Sequence, residues 1–269
     1  MSGVRSLLGV LVAALLAAPL PGTAGPLRVV AFGDSLTMGQ GSTHGAGYRL
    51  AFLERMRAAG YDVDMLGQFH SGPEGMDGDH EGYPGRGVAK LDDVSFRAMR
   101  RDHPDAVLLL IGTNDAKNST FQPDSFRIRF SVLLDRTLSE SRMHLVVSTI
   151  PPSRYGKGKR DQVKVAVNKI VREEVEKRRA EGKHVRLIDS YAMLDDRHDF
   201  VDTLHMNDAG YAKVGNAFAD ALIELLHAYP VPAAGAAEAA ASADPGAGAG
   251  EDGDAGAPGE GGAGGAGAP

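Results

Sequence analysis

Three short segments of the chain carry side chains whose types, taken together, suit nucleophilic acyl chemistry. Ser35 lies in Gly33-Asp34-Ser35-Leu36-Thr37, Asn114 in Gly112-Thr113-Asn114-Asp115, and His205 ends Asp202-Thr203-Leu204-His205. A serine hydroxyl becomes a nucleophile when a histidine accepts its proton and a carboxylate holds the other ring nitrogen of that histidine. An asparagine amide can donate a hydrogen bond to the oxyanion that such an attack produces.

Each segment, taken alone, also has an interpretation that involves no catalysis. Ser35 can simply cap a helix, and Asn114-Asp115 is ordinary turn chemistry. The G-x-S-x-G elbow of the α/β-hydrolases is absent, because Thr37 stands where its second glycine would be. The Asp-x-x-His pattern occurs three times, so spacing does not choose among its copies, which are Asp77/His80, Asp195/His198 and Asp202/His205.

The elements that must position these residues alternate between strands and helices. Short apolar runs predict five buried strands, at residues 27–32, 61–66, 106–111, 144–150 and 185–188. Helical spacing of apolar residues predicts helices at 48–59, 88–99, 125–138, 163–179 and 208–226, and residues 68–87 are expected to form a loop. Apolar strands that alternate with helices predict a three-layer α/β/α sandwich around a five-stranded parallel sheet.

Ligands of such sheets bind beyond the carboxyl ends of the strands. The first predicted strand ends at Gly33 and the third ends just before Gly112. Ser35 and Asn114 therefore follow two strand ends directly, at the edge where a site is expected.

The ordered set of segments resembles the SGNH (GDSL-type) hydrolase family. The first family block is similar to Gly33-Asp34-Ser35-Leu36 and the second centres on Gly85 in Glu81-Gly82-Tyr83-Pro84-Gly85. The third is similar to Gly112-Thr113-Asn114-Asp115 and the last to Asp202-Thr203-Leu204-His205. Met206 follows where the family usually has proline. The resemblance spans residues 27–226.

The resemblance implies a flavodoxin-like SGNH hydrolase fold and a serine ester hydrolase. It implies that Ser35 attacks the ester carbonyl, that His205 is the base and then the acid, and that Asp202 orients His205. It also implies that the backbone N–H groups of Ser35 and Gly85 and the side chain of Asn114 bind the oxyanion. This chemistry needs no metal or other cofactor.

The segment Asp77-Gly78-Asp79-His80-Glu81-Gly82 resembles the corresponding stretch of secreted SGNH carbohydrate esterases, which remove acetyl groups from xylan and similar polysaccharides. A lipolytic esterase acting on lysophospholipids or short-chain lipid esters is the alternative, since fold and triad do not fix the substrate. A second alternative is a non-catalytic carbohydrate-binding module on the same fold. The acidic side chains of this loop also suit calcium, against a simpler interpretation as a solvated loop.

Composition divides the chain into three parts. Residues 1–24 combine Arg5, an apolar run and small residues before the expected cleavage site, which predicts a signal peptide and a secreted protein without a membrane span. Residues 25–229 form the predicted hydrolase domain, without cysteine. Residues 230–269 form a predicted disordered tail rich in alanine, glycine and acidic residues. Its six carboxylates match the net charge of -6. The near-neutral remainder argues against nucleic-acid binding, and no protein partner is indicated.

Overall fold

The computed structural model describes residues 25–116, 120–139, 142–154 and 159–231. Residues 1–24 and 232–269 hold the predicted signal peptide and nearly all of the predicted tail, and they lie outside the described residues. Within the described part of the chain, no helix is long and apolar enough to span a bilayer.

The described elements alternate between strand and helix along most of the chain. The strands are β1 (Leu27–Gly33), β2 (Val63–Leu66), β3 (Phe69–His70), β4 (Asp79–Gly82), β5 (Ala106–Leu110), β6 (His144–Ser148) and β7 (Val185–Ile188). The helices are α1 (Ser35–Met38), α2 (Arg49–Ala58), α3 (Val88–Asp102), α4 (Pro123–Thr137), α5 (Lys159–Ala180), α6 (Ser190–Met193) and α7 (Asp208–Ala228).

The sheet is parallel at its centre. Its order is β2, β1, β5, β6, β7, with each neighbouring pair parallel, and this is the flavodoxin-like order. Residues of β5 and β6 are buried throughout, which is why these strands read as continuous apolar runs. The predicted α/β class and all five predicted strands are thereby confirmed.

The described residues form a seven-stranded sheet, so two short strands, β3 and β4, add to the five parallel strands that were predicted. Strand β2 pairs with the first half of β1, and β4 pairs with its last residues, Phe32 and Gly33. Strand β3 then pairs antiparallel with β4. Strand β4 lies within residues 68–87, which were expected to form a loop because Asp79–Gly82 is polar. Strand β4 forms because the end of β1 has unpaired backbone groups beyond β2.

The helices cover both faces of the sheet, and each face has its own apolar core. Helices α3, α4 and α5 pack on one face, where Phe130, Leu133 and Val171 are buried. Helices α2 and α7 pack together on the other, around Phe52, Phe218 and Leu222. The three predicted layers are therefore present. With no cysteine in the chain, these cores hold the fold without disulfides.

Candidate active site

Ser35 occupies the turn between β1 and α1. It is the first residue of α1, and Asp34 caps that helix by accepting a hydrogen bond from the Leu36 amide at 2.9 Å. Gly33 precedes this turn because a Cβ there would lie 2.2 Å from the Leu110 carbonyl oxygen of β5. The close approach of β1 and β5 leaves Ser35 at the carboxyl edge of the sheet, 5% exposed.

His205 and Asp202 lie in the loop that precedes α7. The His205 Nδ1 is 2.7 Å from Asp202 Oδ2, and the backbone amides of Leu204 and His205 each donate to Asp202 Oδ1 at 2.7 Å. Burial acts to raise the pKa of Asp202, but the hydrogen bonds from His205 and from these amides outweigh it and hold the pKa below its usual range. Asp202 is therefore a carboxylate near neutral pH.

The three predicted triad residues come together in one chain of hydrogen bonds. The Ser35 Oγ lies 3.2 Å from His205 Nε2, across 170 residues of sequence. Because the Asp202 carboxylate only accepts, His205 Nδ1 carries the proton and Nε2 has a free lone pair directed at the Ser35 hydroxyl. The arrangement has the order nucleophile, base and orienting carboxylate that acyl transfer requires.

The loop around His205 is anchored at both of its ends. The Val201 amide donates to the His205 carbonyl at 3.0 Å, and Met206 is fully buried and pairs with Phe200. Asn207 caps α7 by accepting from the Gly210 amide. Met206, which replaces the usual proline of the family, thus fixes the position of His205 by packing and pairing.

Asn114 and Gly85 approach the same edge from two other loops. Asn114 follows β5, and its Nδ2 donates to Asp34 Oδ2 at 3.2 Å and to the Arg86 carbonyl at 2.9 Å. Gly85 has φ +75°, a conformation that favours glycine, and its surroundings are open to solvent. Among the described residues, no acceptor engages the backbone amides of Ser35 or Gly85.

The other two Asp-x-x-His copies do not assemble a comparable site. His198 Nδ1 lies 3.1 Å from Asp195, but the His198 side chain is 78% exposed. His80 is buried, and its ring nitrogens contact Ser71 and the Gly82 amide, whereas Asp77 accepts from the Met65 amide at 2.7 Å.

The acidic loop that suggested calcium is occupied by protein contacts. Asp79 pairs with His70 at 2.7 Å, and Glu81 accepts from the Gln68 amide at 2.9 Å and from Arg101 at 2.5 Å. Each acidic side chain of the segment thus has a different partner. Within the part of the chain that the structure describes, no three metal-ligating side chains converge.

The sequence interpretation missed a buried arginine that braces the nucleophile turn. Arg49 is fully buried in α2, and its guanidinium donates to the carbonyls of Thr37 and Met38 at 3.2 Å each. It also donates to the carbonyls of Gly45, Ser71 and Gly78. Burial lowers the pKa of Arg49 to about 10, so the cation persists at neutral pH. The available signal was its place three residues before Phe52, on the apolar face of α2.

The chain is similar to known proteins in both sequence and fold. Residues 31–213 match the sequence profile of the GDSL-like Lipase/Acylhydrolase family. A multidomain esterase of Ruminococcus flavefaciens is 27% identical, over 73% of this chain and 28% of its own length. The match therefore spans less than a third of that relative.

Solved structures of carbohydrate esterases share the fold. A family 3 carbohydrate esterase of Clostridium thermocellum superposes with a TM-score of 0.67 at 25% identity, over 76% of this chain and 98% of that one. A family 3 carbohydrate esterase from Talaromyces cellulolyticus gives 0.64 at 23% identity, over 75% of this chain and 99% of that one. The first combines fold with modest sequence identity, and the second supports the fold alone.

Proposed function

Since the chain belongs to the GDSL-like lipase/acylhydrolase family, we propose that it is a serine carboxylic-ester hydrolase with Ser35, His205 and Asp202 as its catalytic triad. The observation that carries this proposal is the continuous contact from Ser35 Oγ to His205 Nε2 and from His205 Nδ1 to Asp202. It supplies a nucleophile, a base in the required tautomer and a carboxylate that stabilises the imidazolium.

The reaction proceeds in two halves. Ser35 Oγ attacks the ester carbonyl carbon while its proton passes to His205 Nε2. The tetrahedral intermediate collapses, and the leaving alcohol takes that proton from His205. A water molecule then attacks the acyl-serine with His205 again as base, which releases the carboxylic acid and restores the Ser35 hydroxyl.

The developing oxyanion is stabilised by the backbone N–H groups of Ser35 and Gly85 and by Asn114 Nδ2. The two backbone amides have no protein acceptor among the described residues, so they can donate to substrate. The Asn114 amide already donates to Asp34 and Arg86, and the Asp34 contact, at 3.2 Å, is the longer. The oxyanion therefore has to share or replace one of these two hydrogen bonds.

We propose that the substrate is a short acyl ester, such as acetate, on a carbohydrate. The relatives named as carbohydrate esterases and the similarity of residues 77–82 to secreted members support this choice. The hydrolase domain is assigned to residues 25–229, behind a signal peptide at 1–24 that directs secretion, with 230–269 as a tail. A chain that ends at Tyr229 should keep full activity if the tail is a spacer.

The substrate proposal is tested with the p-nitrophenyl esters of acetate, octanoate and palmitate beside acetylated xylan. The wild type should favour acetate and deacetylate xylan, and Ser35→Ala should abolish both activities. Ser71→Ala is the matched control, because Ser71 also contacts a histidine, and it should retain most of the activity. Preference for octanoate or palmitate would assign a lipid ester instead, and no hydrolysis at all would favour the non-catalytic binding module.

A further inference from the structure

A cationic cleft opens next to Gly85. It has a volume of about 480 Å³, which is within the usual range for a small-molecule site. Its walls are Pro84, Gly85, Arg86, Lys90, Val94 and Arg97. Three of these six residues are cations and none is a carboxylate.

No salt bridge between described side chains engages the cations of this cleft. Among the described side chains, no carboxylate pairs with Lys90 or Arg97, and Arg86 lies over the Tyr83 ring at 4.6 Å. Arg101, one turn after Arg97, differs, because it pairs with Glu81 and with Asp102 at 2.5 Å each. Arg101 is therefore held by described carboxylates, whereas no described carboxylate holds Lys90 or Arg97.

The presence of a lysine at position 90 is not explained by a contribution to helix stability. It is the third residue of α3, and the amino-terminal end of a helix carries partial positive charge that disfavours a cation. No acidic residue lies in the first turn of α3. Asp115 supplies one carboxylate at this end, since it accepts from the Val88 amide at 3.1 Å. Counted over the described side chains, three cations and the helix end outweigh this one carboxylate.

The cleft and the candidate active site share two residues. Gly85 is a proposed oxyanion donor, and the Arg86 carbonyl accepts the hydrogen bond from Asn114 Nδ2. The cleft therefore adjoins the candidate active site, which is the placement that a substrate subsite requires.

We infer that the cleft binds the carboxylate of a uronic-acid residue, so that the preferred substrate is an acetylated acidic oligosaccharide. The inference rests on the proposed function. Arginine and lysine bind carboxylates through charge-assisted hydrogen bonds. The apolar side chains of the cleft are limited to Pro84 and Val94, which suits a polar sugar better than an acyl chain.

The test compares kcat/KM for acetylated xylo-oligosaccharides with and without a 4-O-methylglucuronic acid branch. The wild type should prefer the acidic substrate, and high salt should reduce this preference by screening. In Lys90→Gln/Arg97→Gln, the ratio of acidic to neutral kcat/KM should fall by about tenfold or more, the scale of one lost charge-assisted contact. Lys177→Gln, an exposed charge at the far end of α5, should leave the ratio unchanged.

Oligosaccharide binding to the Ser35→Ala variant tests the cleft assignment even if no ester is hydrolysed. The acidic oligosaccharide should bind this variant more tightly than the neutral one, and adding the Lys90 and Arg97 substitutions should remove the difference. Equal binding of both oligosaccharides would overturn the cleft assignment. Absence of hydrolysis by the wild type, with preferential binding of the acidic oligosaccharide retained, would overturn only the proposed function. Tighter binding of lysophosphatidylglycerol than of the acidic sugar would also overturn the assignment.

Discussion

Among the described residues, two serine–histidine contacts lie in this molecule, one at the sheet edge and one beneath the β3–β4 hairpin. Ser35 Oγ is 3.2 Å from His205 Nε2, and Ser71 Oγ is 3.0 Å from His80 Nε2. Distance alone would rank the second contact higher. The two regions differ in what holds the other ring nitrogen.

At His80 that other nitrogen accepts a hydrogen bond instead of donating one. The Gly82 amide donates to His80 Nδ1 at 3.0 Å, so the proton lies on Nε2 and points at Ser71. Burial, with the Arg49 cation nearby, lowers the pKa of His80 to about 3. His80 therefore donates to its serine and has no basic nitrogen to offer. A serine–histidine pair becomes a catalytic candidate through its third group, which is Asp202 for His205.

The largest expected effect comes from removing each histidine in turn. His205→Gln should lower kcat by a factor of about 10⁶, the scale seen when a triad base is lost. His80→Gln should instead lower the melting temperature, because it disturbs buried hydrogen bonds to Ser71 and Gly82, with kcat retained below the new melting temperature. Both variants are checked by initial rates on p-nitrophenyl acetate and by thermal unfolding. Equal loss of kcat in the two variants would contradict the assignment of a catalytic role to the Ser35–His205 pair alone.

The next largest loss of kcat is expected when His205 is forced into the tautomer that His80 adopts. In Asp202→Asn, the amide oxygen can keep the backbone hydrogen bonds of Leu204 and His205, and its NH₂ then donates to His205 Nδ1. The proton moves to Nε2, as in His80. We expect kcat to fall by about 10⁴ with little change in melting temperature. A loss below about tenfold would show that the tautomer is not set by Asp202.

Removing the predicted oxyanion donor has a smaller effect. Asn114→Ala should lower kcat by about 10² to 10³ while the protein stays folded. Asp34 and the Arg86 carbonyl lose a donor, so a modest drop in melting temperature should accompany it. Single-turnover rates measure the loss of activity, and circular dichroism during heating measures the drop in melting temperature. Near-normal turnover would remove Asn114 from the site.

The smallest effect is the pH dependence of stability that His80 contributes. Its pKa is near 6.5 in the unfolded chain and about 3 in the folded protein, so its contribution to stability is complete above pH 6.5. Below that value the unfolded chain binds a proton that the folded state does not, and stability falls by up to about 1.4 kcal/mol per pH unit until about pH 3. The unfolding free energy of wild type should therefore fall more steeply than that of His80→Gln between pH 6 and 4. Parallel curves would contradict a neutral, buried His80.

The sequence predicts an element where its pattern is local or where a strand is apolar along its whole length. The apolar runs that became β1 and β5 predicted both strands, because a strand buried on both faces has no polar side to show. Their ends placed Ser35 and Asn114 at one edge. The polar strand β4 was invisible, because its pairing depends on the exposed end of β1.

Selecting His205 needed more than its spacing to Asp202. The three Asp-x-x-His copies are equivalent as patterns, and the partner that distinguishes them, Ser35, lies 170 residues away. Family resemblance made the choice that spacing left open. Arg49 could not be found from local patterns either, since the five carbonyls that receive its hydrogen bonds come from α1, from the loop before α2 and from the loop between β3 and β4.

The geometry around the two histidines predicts that Ser35, and not Ser71, is the activated nucleophile. The most direct measurement is mass spectrometry of the peptides after reaction with a serine-directed organophosphate, alongside the residual esterase activity. We expect one adduct per chain, located on Ser35, that appears as activity is lost and is absent from Ser35→Ala. An adduct on Ser71, or complete inactivation with Ser35 unmodified, would contradict it.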